Sequence, residues 1–336
     1  MKKILFLLLF IVSFSAQSQW SLYWHDEFES TVLDSTKWTR EIGGNGWGNN
    51  EFQYYTGTTN NSQLVNGQLV ITAKKEAFGQ NQYTSARLIT KNKFDFRYGR
   101  IEARIKVPMG QGLWPAFWML GSNIDALSWP KCGEIDIMEH INNEAKIYGT
   151  YHFDSIGHRY HGDEIGCNPA EYHQYALVWN NQEMIWLLDN VPYHQVTITN
   201  GIGNKEEFHL PFFLLLNVAV GGNWPGPPLL STPFPAQMLV DYVRVYVDQS
   251  VIGITENEME LLDFSPNPAT NSLQVAIKNN NYPTKATCYS LEGNSFELPI
   301  EGNILNTASI AYGHYSLVVT FEDGSVQRNS FIKLGN

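Results

Sequence analysis

The octapeptide Gly133-Glu134-Ile135-Asp136-Ile137-Met138-Glu139-His140 sets three acids within six residues and fills the gaps between them with Ile and Met. Its β-branched, interleaved pattern reads as a strand. Charged side chains are rarely buried without partners, so this strand has to sit in a sheet that keeps one face available for polar chemistry. The side-chain period of two puts Glu134 and Asp136 on the same face. Strict alternation would turn Glu139 to the opposite face. A one-residue bulge at Ile137 or Met138 returns it, and bulges are over-represented beside active sites.

Three carboxyl groups on one floor suit the hydrolysis of a glycosidic bond, which passes through an oxocarbenium-like transition state and uses two carboxyl groups. Across a bulge, four strand steps of about 3.3 Å separate the end Cα atoms by about 13 Å, less with bending. Glutamates leaning together from that separation reach the roughly 5–5.5 Å of a retaining pair, and the roughly 6.5–9.5 Å of an inverting pair also fits. Asp136, lying between them, titrates with both as a coupled set. Crowded like charges raise at least one pKa, as a general acid at neutral pH requires. The expected roles are Glu134 as nucleophile, Glu139 as acid/base and Asp136 as the group that orients and tunes Glu134. On the octapeptide alone, a cation site of hard oxygen ligands or a solvated strand face remains open.

The run resembles the catalytic signature of glycoside hydrolase family 16: Glu, a hydrophobic residue, Asp, a hydrophobic residue, an optional extra residue, Glu. Met138 fills the optional place, which resembles the branch of laminarinases, agarases and carrageenases. The lichenase and xyloglucan-modifying branches usually lack it. Other blocks resemble bacterial laminarinases (endo-β-1,3-glucanases): Gly46-Trp47-Gly48-Asn49-Asn50-Glu51, Gln53-Tyr54-Tyr55-Thr56 and Tyr83-Thr84-Ser85-Ala86-Arg87-Leu88. So do Tyr98–Arg104, Gly112–Leu120, Asn217–Gly226 and Asp241–Tyr246, and together the blocks span roughly residues 20 to 247. The resemblance implies an all-β jelly-roll sandwich, concanavalin-like, with its substrate cleft along a concave face.

Composition agrees with an exported carbohydrate-active protein. The 336 residues suffice for one large or two medium domains with real cores. Ten tryptophans exceed what a core alone usually needs. A net charge of −11 without a basic cluster argues against a nucleic-acid partner. Met1-Lys2-Lys3, the apolar run Ile4–Phe14 and the small-residue stretch to Ser18 read as a secretory signal peptide, 1–18. The run is too short for an ordinary membrane span, and no Cys follows it to carry a lipid anchor. A soluble, secreted or cell-surface protein, monomeric, is expected. The three cysteines leave at least one thiol unpaired within the chain, with Cys132 and Cys167 a candidate bridge.

Short runs at Gln68–Ala73, Gly99–Val107, Glu134–Glu139, Tyr175–Trp179, Met184–Leu188 and Leu239–Val247 are rich in β-branched and aromatic residues, and Gly, Asn and Pro punctuate them. No long helical periodicity interrupts residues 19–247, so a sandwich or barrel is expected there. Residues 248–262 read as a polar linker. A small all-β module over 263–336 contains Phe264-Ser265-Pro266-Asn267-Pro268 and Gly313-His314-Tyr315-Ser316-Leu317. It resembles the C-terminal sorting domain of the type IX secretion system, which makes that machinery an expected partner. A small carbohydrate-binding module is the weaker alternative, because the segment lacks Trp.

Sugar rings present an apolar face and a polar edge, and aromatic platforms with a few hydrogen bonders recognise them. Trp114 and Trp118, four apart in a strand, share a face and are candidate platforms, each with core packing as its alternative. Asn49 and Glu51 lie on a glycine-rich loop suited to a cleft rim or to a plain turn. Arg87 and His152 match positions that contact sugar or face the catalytic strand in laminarinases. Asn217, Asn223 and Trp224 adjoin a Gly-Gly turn at one cleft end. Catalysis needs no cofactor; the resemblance implies a structural Ca²⁺ held by Glu27, the Gly67 backbone and Asp241, a mixed oxygen set that suits this ion.

The leading function is endo-hydrolysis of β-1,3-glucan such as laminarin, with mixed-linkage β-1,3-1,4-glucan a further substrate. Agarase, carrageenase or transglycosylase activity on the same scaffold is the alternative, although sulfated galactans would favour a more basic cleft. A non-catalytic glucan-binding protein is disfavoured by the presence of all three acids.

Overall fold

The computed structural model describes residues 20–199, 205–248, 263–277, 281–290, 295–322 and 326–334. The signal peptide and nearly all of the expected linker lie outside these residues. The chain divides into two compact units between Asp248 and Gln249. Asp248, assigned above to the linker, is instead the last residue of a long strand.

In chain order the first unit carries β1 (Trp20–Asp26), β2 (Thr39–Arg40), β3 (Gln53–Tyr55), β4 (Ser62–Val65), β5 (Gln68–Ala73), β6 (Tyr83–Ser85) and β7 (Arg87–Ile89). Then come β8 (Gly99–Lys106), β9 (Leu113–Gly121), β10 (Glu134–Glu139), β11 (Lys146–Asp154) and β12 (His158–Gly166). The last are β13 (His173–Trp179), β14 (Glu183–Leu188), β15 (Val191–Thr197), β16 (Phe212–Val220) and β17 (Ala236–Asp248). Helical structure among the described residues is confined to two 3-10 turns, Gly46–Gly48 and Glu206–His209.

One sheet runs β12-β11-β10-β9-β16-β7-β2, and the other runs β15-β14-β13-β8-β17-β5-β4 with β1 added on β17. This is the expected jelly-roll sandwich. Alternation explains the layer between the sheets: Phe117, Met119, Ile135, Ile147 and Tyr151 of the first sheet meet Ile101, Tyr175, Leu177, Trp186 and Val243 of the second in one core. Strand β16 is buried at every position, because both its faces are covered. Leu214, Leu216 and Val218 enter the main core, while Phe213 and Leu215 join Ile89, Leu120 and Cys132 in a small cluster on the sheet's other face.

The acidic strand is bulged as the sequence required. Against β9, Asp136 pairs with Trp118, but Met138 pairs with Phe117 and Glu139 with Ala116, so one residue is extra. Against β11, the step from Thr150 to Tyr148 matches the step from Asp136 to Glu139. A bulge interrupts the ladder, and a buried carbonyl left there needs a donor. Trp186, fully buried on β14 of the opposite sheet, donates its indole N–H to the Asp136 backbone oxygen at 2.8 Å.

The cysteines do not bridge: Cys132 is buried beside Gly133, Cys167 packs at the edge of the core, and both are free thiols. The second unit forms two four-stranded sheets. These are β18 (Phe264–Ser265), β19 (Ser272–Val275), β23 (Ile304–Asn306) and β22 (Ile300–Glu301), and β21 (Ser295–Glu297), β20 (Pro283–Ser290), β24 (Gly313–Phe321) and β25 (Val326–Lys333). They enclose a separate core that includes Leu273, Val275, Cys288, Leu305, Leu317, Val319 and Phe331.

Trp186→Phe removes one N–H and leaves the bulge carbonyl without that donor, at a cost of about 1–3 kcal/mol. Calorimetry is expected to show the melting temperature falling by roughly 2–10 °C, together with reduced turnover.

Candidate active site

Residues directly opposite in an antiparallel pair point to the same face. The register therefore gathers one row from each strand: Glu134, Asp136 and Glu139 from β10, Trp114, Ala116 and Trp118 from β9, and Tyr148, Thr150 and His152 from β11. Strand β16 adds Asn217, and β7 adds Arg87 beside it. All three acids thus share a face with Arg87, Trp114, Trp118, His152 and Asn217.

The acids are deeply set. Asp136 is 3% exposed and Glu139 is 8% exposed. His152 Nε2 lies 3.2 Å from Asp136 Oδ2 and 3.7 Å from Glu134 Oε1. Its Nδ1 is 2.9 Å from Nε2 of His158, which fixes the ring. Glu139 Oε1 accepts the indole N–H of Trp114 at 2.9 Å. Burial, reinforced by the charge of Asp136, pushes Glu134 and Glu139 well above the usual carboxylate range, and burial pushes Asp136 up as well. His152 and Arg87 oppose the rise at Glu134, and the Trp114 hydrogen bond opposes it at Glu139. Such a set holds protons near neutral pH and can supply both an acid and a charged nucleophile.

Beside the acids, Trp118 donates to Asn217 Oδ1 at 2.7 Å, and Asn217 donates to the hydroxyl of Tyr55 at 3.2 Å. The Arg87 guanidinium is sandwiched between the rings of Trp47 and Trp118, 4.8 Å from each, with Nε 2.6 Å from Glu41 Oε2. Glu51 is also tied into the rim loop, its carboxylate accepting from Gln53 at 2.5 Å, from Tyr55 at 3.2 Å and from Asn49 at 3.4 Å. Asn49 accepts the Asn223 backbone N–H through its carbonyl at 2.8 Å, which ties that loop to the one carrying Trp224. Trp224 stands 40% exposed at the rim, edge-on to Trp114.

Sequence reasoning missed Trp47, Tyr148 and the cluster of Trp129, His158 and Tyr160. Trp129 lies 4.4 Å from His158, and His152, His158 and Tyr160 stack nearly parallel. The aromatic Trp129 in a polar turn just ahead of the acidic strand was the available signal. Tyr148 and Tyr160 become legible only through the register that the bulge sets.

The calcium expectation does not fit. Both oxygens of Glu27 are taken by Arg244, at 2.8 and 2.7 Å, and Asp241 pairs with Arg104 at 2.8 Å and Gln68 at 3.3 Å. The guanidinium groups already neutralise the charge that would attract a cation. Among the described residues, the one trio of carboxylate and imidazole groups close enough to surround a cation is Glu134, Asp136 and His152, whose polar atoms lie within 4.8 Å of one another.

A carboxyl whose pKa is raised by folding binds its proton more tightly in the folded chain than in the unfolded one. Its stabilising contribution is intact below the unfolded pKa of about 4.3 and is lost as pH rises through the folded value. Glu134→Gln and Glu139→Gln are therefore expected to raise the melting temperature by roughly 2–8 °C at pH 8. Thermal scans across pH should show that gain shrinking toward pH 4.

Residues 48–244 match the model of glycosyl hydrolases family 16. The chain is 40% identical over 243 residues to a beta-glucanase of Rhodothermus marinus, covering 68% of this chain and 85% of that one. It is 43% identical over 241 residues to the clotting factor G alpha subunit of Tachypleus tridentatus, of which it spans only 35%. The solved endo-beta-1,3-glucanase of Pyrococcus furiosus superposes with a TM-score of 0.62 at 43% identity, over 68% of this chain and 94% of that one. A bulged row of three acids on the open face of such a sandwich, joined to these likenesses, makes the chain an enzyme of glycosyl hydrolase family 16.

Proposed function

We propose that this protein is an exported, retaining endo-hydrolase of β-1,3-glucan of the laminarin type, acting also on mixed-linkage β-1,3-1,4-glucan. The observation that carries the reading is the bulged row Glu134, Asp136, Glu139, set on one sheet face between Trp114 and Trp118 on one side and His152 on the other. Relatives that act on β-1,3-glucan support the choice of substrate.

In the first step Glu134 attacks the anomeric carbon while Glu139 gives its proton to the departing glycosidic oxygen. In the second, Glu139 takes a proton from water, whose oxygen displaces Glu134 and returns it to the carboxylate. His152 and Arg87 favour the charged form of Glu134. Asp136, on the same face and close to Glu134, tunes the nucleophile, since its charge raises the Glu134 pKa and its own burial favours its protonated form. Trp118 and Trp224 offer apolar faces to glucosyl rings.

The N-terminal segment is proposed to direct export, and residues 263–336 to hand the protein to type IX secretion. Deleting 263–336 is expected to hold active enzyme inside the outer membrane of the source cell, as fractionation would report. For the chemistry, the purified protein should release an oligosaccharide ladder from laminarin, lost in Glu134→Gln and Glu139→Gln. NMR of the first products should show the β-anomer. A ladder from agarose or κ-carrageenan alone would keep the mechanism and overturn the substrate, and an initial α-anomer would overturn retention.

A further inference from the structure

We propose that Trp114 is a positioning residue for the general acid/base, its indole N–H holding the Glu139 carboxyl in the orientation from which the proton is given and taken. The proposal rests on the role assigned to Glu139 above and deepens it. Glu139 is opposite Ala116, so Trp114 reaches it diagonally, two residues along the same face. An indole has a single donor, and at 2.9 Å from Glu139 Oε1 that donor is committed. The N–H of Trp114 is thus not the group that meets a sugar hydroxyl; only its ring remains for the substrate.

Trp114 is itself clamped. Trp224 stands against it at 5.5 Å and 88°, and Trp224 in turn packs on Tyr148 at 4.9 Å and 66°. Tyr148 is the cross-strand neighbour of Glu139, and its hydroxyl donates to Glu144 at 2.5 Å. Gly222 closes the remaining side: at φ +123°, an added Cβ would lie 3.6 Å from the Trp114 ring and 3.2 Å from the Asn49 carbonyl. The loop carrying Gly222 and Trp224 and the strand carrying Glu139 therefore converge on one ring, with Tyr148 supporting Trp224 from behind.

The ionisable groups around Glu139 are Glu134 and Asp136 on its own strand, His152 and Tyr148 on β11, and Tyr193 on β15. Asp136 favours the protonated carboxyl, whereas the Trp114 bond favours the ionised one. Removing that bond alone should raise the pKa of the acid, so the proton-loaded form persists to higher pH.

The test replaces Trp114 in the full chain with β-(3-benzothienyl)alanine, which keeps the bicyclic shape and puts sulfur where the N–H was, alongside Trp114→Phe. The pH profile of kcat/KM is measured on laminarin and on an aryl β-laminaribioside with a dinitrophenolate leaving group, which needs little protonation to depart. The expected result on laminarin is an upward shift of the basic limb by about one pH unit and a loss in kcat of about tenfold or more, with KM little changed. Glycosylation by the aryl substrate should be nearly preserved. An unmoved basic limb with raised KM, or equal losses on both substrates, would overturn the proposal. Glu139→Gln separates the two readings: if it is inactive on laminarin while the benzothienyl variant keeps the parental profile, Trp114 alone loses its role. If Glu139→Gln keeps laminarin activity, the acid/base assignment itself fails.

Discussion

The hydrogen bond from the Trp186 indole to the Asp136 backbone oxygen ties the chemistry of one sheet to the packing of the other. A bulge breaks the ladder where β10 must carry its acids, and an unpaired polar group in a dry core is costly. A donor from within the neighbouring strands would restore the regular ladder and take away the bulge. A donor crossing the core does not, because it leaves the extra residue in place. The main core, with Ile137 and Met138 inside it, then holds the strand from behind. The bulge that turns Glu139 to the active face is thus supported by a tryptophan on the far sheet.

In front of that strand the balance is electrostatic. Three acids share a poorly solvated floor, and burial is the first cause of the raised pKa of each. The surroundings answer each acid differently. Glu134 has the His152 ring and the more distant Arg87, Asp136 has His152, and Glu139 has a neutral indole donor. A cationic neighbour favours a charged nucleophile, and a neutral donor favours the ionised acid/base less than a cation would, so Glu139 can still carry its proton. Arg87 is kept near the acids yet out of a direct ion pair with them by the Trp47–Trp118 sandwich and by Glu41. This arrangement is less stable than an apolar floor would be, the usual consequence of preparing a site for its reaction.

Much of this was legible in the chain. Interleaving of Glu and Asp with Ile predicted the strand, its shared face and the need for a bulge, and the structure sets that bulge between Asp136 and Glu139. The strands expected at Gln68–Ala73 and Glu134–Glu139 have those bounds, and the others extend by up to three residues at an end or stop one short, because pairing with neighbours, not local composition, ends a strand. Glu51 and the pair Glu27 and Asp241 are engaged within the protein in a way the sequence does not show, for a common reason. A carboxylate in a polar sequence looks available, but Gln53 and Tyr55 claim the first, and Arg244 and Arg104 claim the others. Arg244 and Arg104 lie far along the chain, where no sequence pattern pairs them, and Gln53 and Tyr55, though close, turn to Glu51 only in the folded loop.

The sequence by itself determined the all-β class, the acidic row and the family to which it belongs, because periodicity and short motifs are local properties of a chain. Tertiary structure decided the rest. It chose which aromatic rings brace acids and which remain open to sugar, placed Tyr148 and Tyr160 on the active face, and spent the N–H of Trp114 on Glu139. Those outcomes depend on strand order and on a one-residue register shift, and long-range pairing fixes both.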